Sequence, residues 1–167
     1  MFRPIREAGP GLLVPLAWLF VALAEQGIVA SRSMFIAHLV MAAFITFFLL
    51  TGWAEMESGA LAGWRAVMVV GLGLTFAGIG GFVLESTPLL ATSLVGWMML
   101  PVVGLAYTGR LLSTAKMPYL GGAAVAAVGA VVAVGGLVGG STAVTLGGIG
   151  LVGLGQTVGI DDAVVRF

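Results

Sequence analysis

Uncharged apolar runs recur along this chain, and nearly every one is closed by a charged residue. The cleanest covers 33–54: twenty-two residues fenced by Arg32 and Glu55 and holding His38, the one histidine. At about 1.5 Å of rise per residue, such a run crosses a hydrocarbon core of roughly 30 Å as a helix. The spacing therefore predicts a membrane span here, with further spans arranged around it. An uncharged stretch over 8–24 predicts a first span, placed at about 10–30 with Glu25 and Gln26 toward its outer end. Two more follow at 66–84 and 89–109. Between them Glu85, Ser86, Thr87 and Pro88 make a compact turn, in which Ser86 or Thr87 can cap the next helix and Pro88 can stand in its first turn.

Residues 117–160 then run for forty-four positions without a charge, too long for one crossing and right for two. Gly139, Gly140, Ser141 and Thr142 supply the turn, which gives spans at 119–138 and 143–160. The expectation is an all-α, polytopic integral membrane protein: residues 1–167 as a single transmembrane domain, a six-helix bundle with short loops. A competing reading of the first segment is a secretory signal, with a basic start, an apolar 12–23 and Ala22, Leu23 and Ala24 as a cleavage site. Glu7, Pro10 and Pro15 suit such a peptide poorly, and the segment is kept as the first helix.

Charge orients the bundle. Short cytoplasmic loops carry an excess of Lys and Arg. With the amino terminus inside, Arg3, Arg6, Arg65, Arg110, Lys116 and Arg166 all fall on the inner side and only Arg32 on the outer. Trp53, Trp64, Tyr107 and Tyr119 fall at the inner helix ends, as an interfacial aromatic belt requires. Both termini are thus expected in the cytoplasm, in a multi-pass protein of the cell membrane.

Composition narrows the classes further. The chain is 60% hydrophobic and 8% charged, against about 25% charged in soluble domains. Its net charge is zero, so there is no basic surface for nucleic acid. Cysteine is absent, which removes disulfides and thiolate metal sites. Arginine outnumbers lysine six to one and Ala, Gly and Val dominate, a composition of prokaryotic character.

Helices in lipid associate by close van der Waals contact, and small residues four apart mark where backbones can meet. Gly73, Ala77 and Gly81 form one such stripe; Gly135 with Gly139 and Gly155 with Gly159 form others. Thirteen of the 27 glycines lie between Tyr119 and Gly159. They predict a closely packed final hairpin, either within the bundle or against a partner subunit. No internal repeat stands out, and the three hairpins differ too much in composition to suggest inverted halves.

Ionisable groups in or beside spans are functional candidates. Glu25, Arg32 and Glu85 fall at outer helix ends, and His38 lies about 9 Å deeper than Arg32 by the helical rise. Together they form a candidate outward-facing polar cluster, able to relay protons, bind a small cation or hold an anionic group. The alternative is that the charges sit in the headgroup zone and His38 bonds a carbonyl. Met34 and Met41 share the His38 face, which suits copper(I) or a haem axial pair, but methionine in an apolar helix is ordinarily packing and no metal or cofactor is assigned. Pro101 removes its own N–H and frees the carbonyl of Trp97, so a kink there could line a small cavity with Ser93 and Trp97. Gln156, the one amide deep in a span, reads as an interhelical hydrogen bond. The run 148–153 matches G-x-G-x-x-G in form only, since no strand–loop–helix unit surrounds it.

No hydrolytic motif is present and no catalytic residue is assigned. Three classes of function remain. The leading one is a non-catalytic accessory or interaction subunit of a membrane complex, with the lipid bilayer as solvent and glycine-rich helices meeting a second copy or a membrane-protein partner. The second is a small transporter or channel for an ion, proton or solute. The third is a haem- or quinone-associated redox subunit.

Overall fold

The computed structural model describes the backbone of residues 3–112 and 116–166 and the side chains of 12–112 and 116–160; those of Arg3, Arg6 and Arg166, used above for orientation, lie outside that set. Six helices account for the described chain: α1 (Arg3–Glu25), α2 (Ser31–Gly52), α3 (Gly59–Val83), α4 (Thr87–Leu111), α5 (Lys116–Gly139) and α6 (Thr142–Arg166), with a 3₁₀ turn at Ala54–Met56. Five of them, α2 to α6, have the length and apolarity to cross a membrane. The apolar part of α1 among the described side chains, Leu12–Glu25, is shorter.

Helix ends follow backbone chemistry more closely than charge. Helix α1 stops at Glu25 because Gly27 takes φ 73°, which turns the chain so that the Ile28 N–H donates to the Leu23 carbonyl at 3.0 Å. The same closure ends α5, where Gly140 has φ 67° and Ser141 N–H reaches the Gly136 carbonyl at 2.9 Å. At α3 the left-handed position falls to Glu85, at φ 53°, with Ser86 N–H donating to the Gly81 carbonyl at 2.9 Å. Ser86 is the N-cap of α4 with Pro88 in its first turn, as the turn sequence predicts, but its side chain makes no capping bond.

The helices pack as a file. Helix α2 rests on α3, α3 on α4, α4 on α5, α5 on α6, and α6 on α1, with a lesser contact between α4 and α6. The expectation that the bundle is built around α2 is therefore wrong: α2 is peripheral, with Ile36, Val40, Phe44, Phe47 and Leu50 among its exposed side chains. Trp18, Met98, Ala130, Ala133, Ile149 and Val152 form the main core, where α1, α4, α5 and α6 meet.

The final hairpin is held by backbone closeness. On α5 the buried positions Gly122, Ala126, Gly129, Ala133 and Gly136 alternate spacings of four and three, and on α6 Thr145, Gly148, Val152, Gly155 and Gly159 do the same. The two rows interleave antiparallel. A methyl built on Gly122 would stand 2.5 Å from the Gly155 carbonyl, one on Gly129 would stand 2.6 Å from the Val152 nitrogen, and Gly148 meets the Ala133 backbone. Lipid tails offer no water-exclusion gain between helices, so such contact supplies the adhesion directly.

This corrects the predicted stripes. Gly155 packs on Gly122 and Ala126, and Gly159 packs on Leu105, so both are interior to the bundle. Gly135, Gly139 and Gly73 face away from neighbours, and nothing stands within 4 Å of a methyl on any of them. Gly81 does meet Leu90, whereas Ala77 is only partly buried. The face α3 presents inward holds Val67, Gly71, Thr75, Gly78 and Gly81. The aromatic belt is also thinner than predicted. Trp53 and Tyr107 are exposed, with the Arg65 guanidinium 4.7 Å from the centre of the Trp53 ring. Tyr119 is 0% exposed, in a second core cluster with Leu105 and Ala123, and Trp64 packs against that cluster.

The contacts between α3 and α4 reveal a repeat that hairpin-level comparison misses. Residues 61–75 and 94–108 match at eight of fifteen positions under one offset of 33, as Leu-x-Gly-Trp-x4-Val-Val-Gly-Leu-x2-Thr. The antiparallel helices exchange these residues about a local two-fold axis perpendicular to both. The Trp97 indole N–H donates to Thr75 Oγ1 at 3.2 Å, and the Trp64 indole N–H donates to Thr108 Oγ1 at 3.1 Å. Thr75 donates in turn to the Gly71 carbonyl and Thr108 to the Gly104 carbonyl, at 2.8 and 2.9 Å. Trp97 lies over Gly71 as Trp64 lies over Gly104, and Tyr107 lies over Gly63 as Leu74 lies over Gly96.

Candidate functional site

The predicted outward cluster does not assemble. Glu25, Arg32 and Glu85 are all exposed and form no ion pair among the described residues. Arg32 lines a shallow crevice of about 240 Å³ between α2 and α3 with Ser31, Phe35, Phe82 and Val83. His38 sits one step further in. Its Nδ1 lies 2.9 Å from the Met34 carbonyl oxygen, its ring meets Phe82 edge-on at 5.3 Å, and its far side fills the notch left by Gly78 on α3. The imidazole thus abuts packed side chains, and a polar channel to mid-membrane is not what surrounds it. Among the described residues no three His, Cys, Asp or Glu converge as a ligand set, and the Met34 contact is through its backbone.

Polar groups converge instead at Trp97. Position 101 is proline, which has no N–H, so the carbonyl of Trp97 lacks its donor within α4. Gln156 on α6 supplies one: its Nε2 donates to the Trp97 and Met98 carbonyls, at 3.2 Å each. The Gln156 Oε1 accepts from the Trp18 indole N–H of α1 at 2.9 Å. At its other end Trp97 donates to Thr75. One hydrogen-bonded path therefore runs from α1 through α6 and α4 to α3, with Gln156 only 2% exposed and Thr75 wholly buried. Ser93 and Pro101, expected to line a cavity with Trp97, are buried; the Trp97 ring packs on Gly71 of α3, and the Gln156 amide meets the Trp97 carbonyl.

The interhelical role of Gln156 was readable from its isolation in an apolar helix. Its partners were not, because nothing in the spacing of α1 says which face Trp18 presents. Sequence reasoning places Trp64 in the aromatic belt and gives Thr75, Thr108, Gly71 and Gly78 no role. The available signal was the Trp-x6-Gly-x3-Thr spacing, which occurs at 64–75 and again at 97–108. Chemically, this network satisfies buried polar atoms and fixes helix positions. It presents no nucleophile–base pair and no row of donors toward a bound substrate. Comparison of the chain with models of known families, with curated proteins and with solved structures returns no match.

Proposed function

We propose that the chain is a six-span protein of the cell membrane, with both termini cytoplasmic, that acts as a non-catalytic interaction subunit of a membrane complex. The inner-side arginines and lysine support that orientation, and the exposed Trp53 and Tyr107 suit a membrane–water interface. The observation that carries the interaction reading is a set of glycines with no internal use. On the side of the α5–α6 hairpin turned away from α4 and α1, α5 exposes Gly121, Val125, Val128 and Gly135, and α6 exposes Ala143, Gly147, Leu151 and Leu154. Nothing lies within 4 Å of a methyl built on Gly121, Gly135 or Gly147.

Each glycine in a helix interior costs about 1 kcal/mol relative to alanine. Against lipid that cost has no return, since alanine would serve as well. It has a return where a second backbone comes close. No charge stands between 117 and 160, so the partner is selected by shape: an apolar transmembrane helix that brings small residues of its own.

Gly135→Ile and Gly147→Ile test this reading. Gently solubilised wild-type protein should elute as a complex of fixed stoichiometry, and the variants as the chain alone with unchanged tryptophan emission. A wild-type chain that elutes as a monomer, or variants that keep the complex, would refute it.

A further inference from the structure

Helix α2 has one close neighbour, α3, and only a slight contact with α1. Where α2 begins, the crevice of about 240 Å³ between α2 and α3 is lined by Ser31, Arg32, Phe35, Phe82 and Val83. Its chemistry is divided. Ser31 and Arg32 are the first two residues of α2 and are exposed. Phe35 lies one turn further along and meets the Phe82 ring edge-on at 6.5 Å, while Val83 closes α3.

The polar half is short of partners. The Arg32 guanidinium makes no hydrogen bond or ion pair among the described residues, and the exposed Glu25 and Glu85 at neighbouring helix ends leave it unpaired. Arg65, by contrast, lies on the Trp53 ring. The first N–H groups of α2 to find a carbonyl are those of Ser33 and Met34, both bonded to Ala30, at 2.9 and 3.1 Å. Those of Ser31 and Arg32 have no acceptor among the described residues, and the N-cap, Ala30, makes no side-chain bond that could satisfy them. Free amides at a helix start favour an anion, and a guanidinium fork suits the paired oxygens of a phosphate.

The apolar half decides what carries that phosphate. A hydrated ion would use Ser31 and Arg32 and gain nothing from Phe35, Phe82 and Val83, which suit hydrocarbon. A bilayer, the surroundings that helices of this length and apolarity call for, supplies both chemistries in one molecule.

We propose that this crevice holds one glycerophospholipid, with its phosphodiester on Arg32 and the free amides of α2 and the start of an acyl chain against Phe35, Phe82 and Val83. The lipid fills the seam beside a helix that has little other support. The site is built by α2 and α3 and does not depend on the α5–α6 face.

Native mass spectrometry of the detergent-solubilised chain, titrated with dioleoylphosphatidylglycerol, counts bound lipids one at a time. Wild type should take up a first lipid ahead of any others. Arg32→Gln should weaken that first binding by about tenfold, as loss of a charge-assisted hydrogen bond does. Val83→Trp, which fills the crevice and keeps the charge, should weaken it too, whereas Arg110→Gln, at the far end of α4, should not. Dioleoylglycerol, which lacks the phosphate, should leave the site empty, and water-soluble glycerol phosphate should not displace the lipid. Positions 32 and 83 are exposed, and should either variant fail to fold, the two competitor arms on wild type decide alone. Adducts that accumulate without a distinct first one, equal first-lipid binding by wild type and either crevice variant, or occupancy by dioleoylglycerol would overturn the proposal. Displacement by glycerol phosphate would overturn it as well, and would make the crevice a site for a soluble anion.

Discussion

Replacing Gln156 with leucine removes the amide and keeps a side chain of similar bulk, so the loss reports on hydrogen bonding more than on packing. Three bonds disappear: the one accepted from Trp18 and the two donated to the Trp97 and Met98 carbonyls. Interhelical bonds in membrane proteins average about 0.6 kcal/mol, which sets a floor near 2 kcal/mol. The Trp18 N–H and the Trp97 carbonyl are then left buried without partners, at about 1 kcal/mol or more each, which raises the expected loss to about 3–4 kcal/mol. The carbonyl needs Gln156 only because residue 101 has no N–H, and that dependence supplies an internal control. Pro101→Ala restores the donor within α4. It should be more favourable in the Gln156→Leu background than in the wild type by about 1 kcal/mol, a coupling that a double-mutant cycle isolates. Reversible unfolding in mixed denaturing and mild detergent, followed by the emission of the four tryptophans, measures both quantities. A loss below about 1 kcal/mol for Gln156→Leu, or strict additivity with Pro101→Ala, would show that the amide does not serve the proline-freed carbonyl.

Further predictions use the same assay. Thr75→Val and Thr108→Val should each destabilise by about 0.5–1.5 kcal/mol and agree within about 0.5 kcal/mol, because each removes the same indole acceptor from an equivalent position; widely unequal losses would break the two-fold relation. Glu85→Gly should stabilise by about 1 kcal/mol, since the left-handed backbone at position 85 suits glycine, whereas Glu85→Ala should not. Gly148→Leu should abolish the folded state, because its side chain would enter the Ala133 backbone, while Gly147→Leu one residue away should unfold at the wild-type detergent fraction.

The places of the five long apolar helices were legible because a charge in hydrocarbon is expensive enough to bound most of the uncharged runs, and a glycine turn divides the longest. Helix faces were not, because in α3, α5 and α6 nearly every position is apolar, so no polar side opposes a buried one. Spacing alone gave no reason to prefer Gly71, Thr75 and Gly78 over Gly73 and Ala77; packing separates the two sets, and of the predicted stripe only Gly81 joins the inward face. The outward polar cluster failed for a related reason. Helix termini placed Glu25, Arg32 and Glu85 at similar depth, but depth says nothing about azimuth, and the file of helices keeps α1 and α2 nearly apart. Tyr119 falls at the inner end of its helix and so reads as interfacial, yet it packs with Leu105 and Ala123 and is fully buried.

The repeated unit of α3 and α4 sets a problem for membrane insertion. The same fifteen-residue pattern enters the bilayer once in each direction, so the residues the copies share cannot instruct the translocation machinery which way to thread them. That instruction has to lie in their differences. Arg65 stands fifth in the first copy where Met98 stands in the second, and Arg110 follows the second where Ala77 follows the first. Both arginines thereby reach the open end of the hairpin, and two charges give opposite headings to what is otherwise one message.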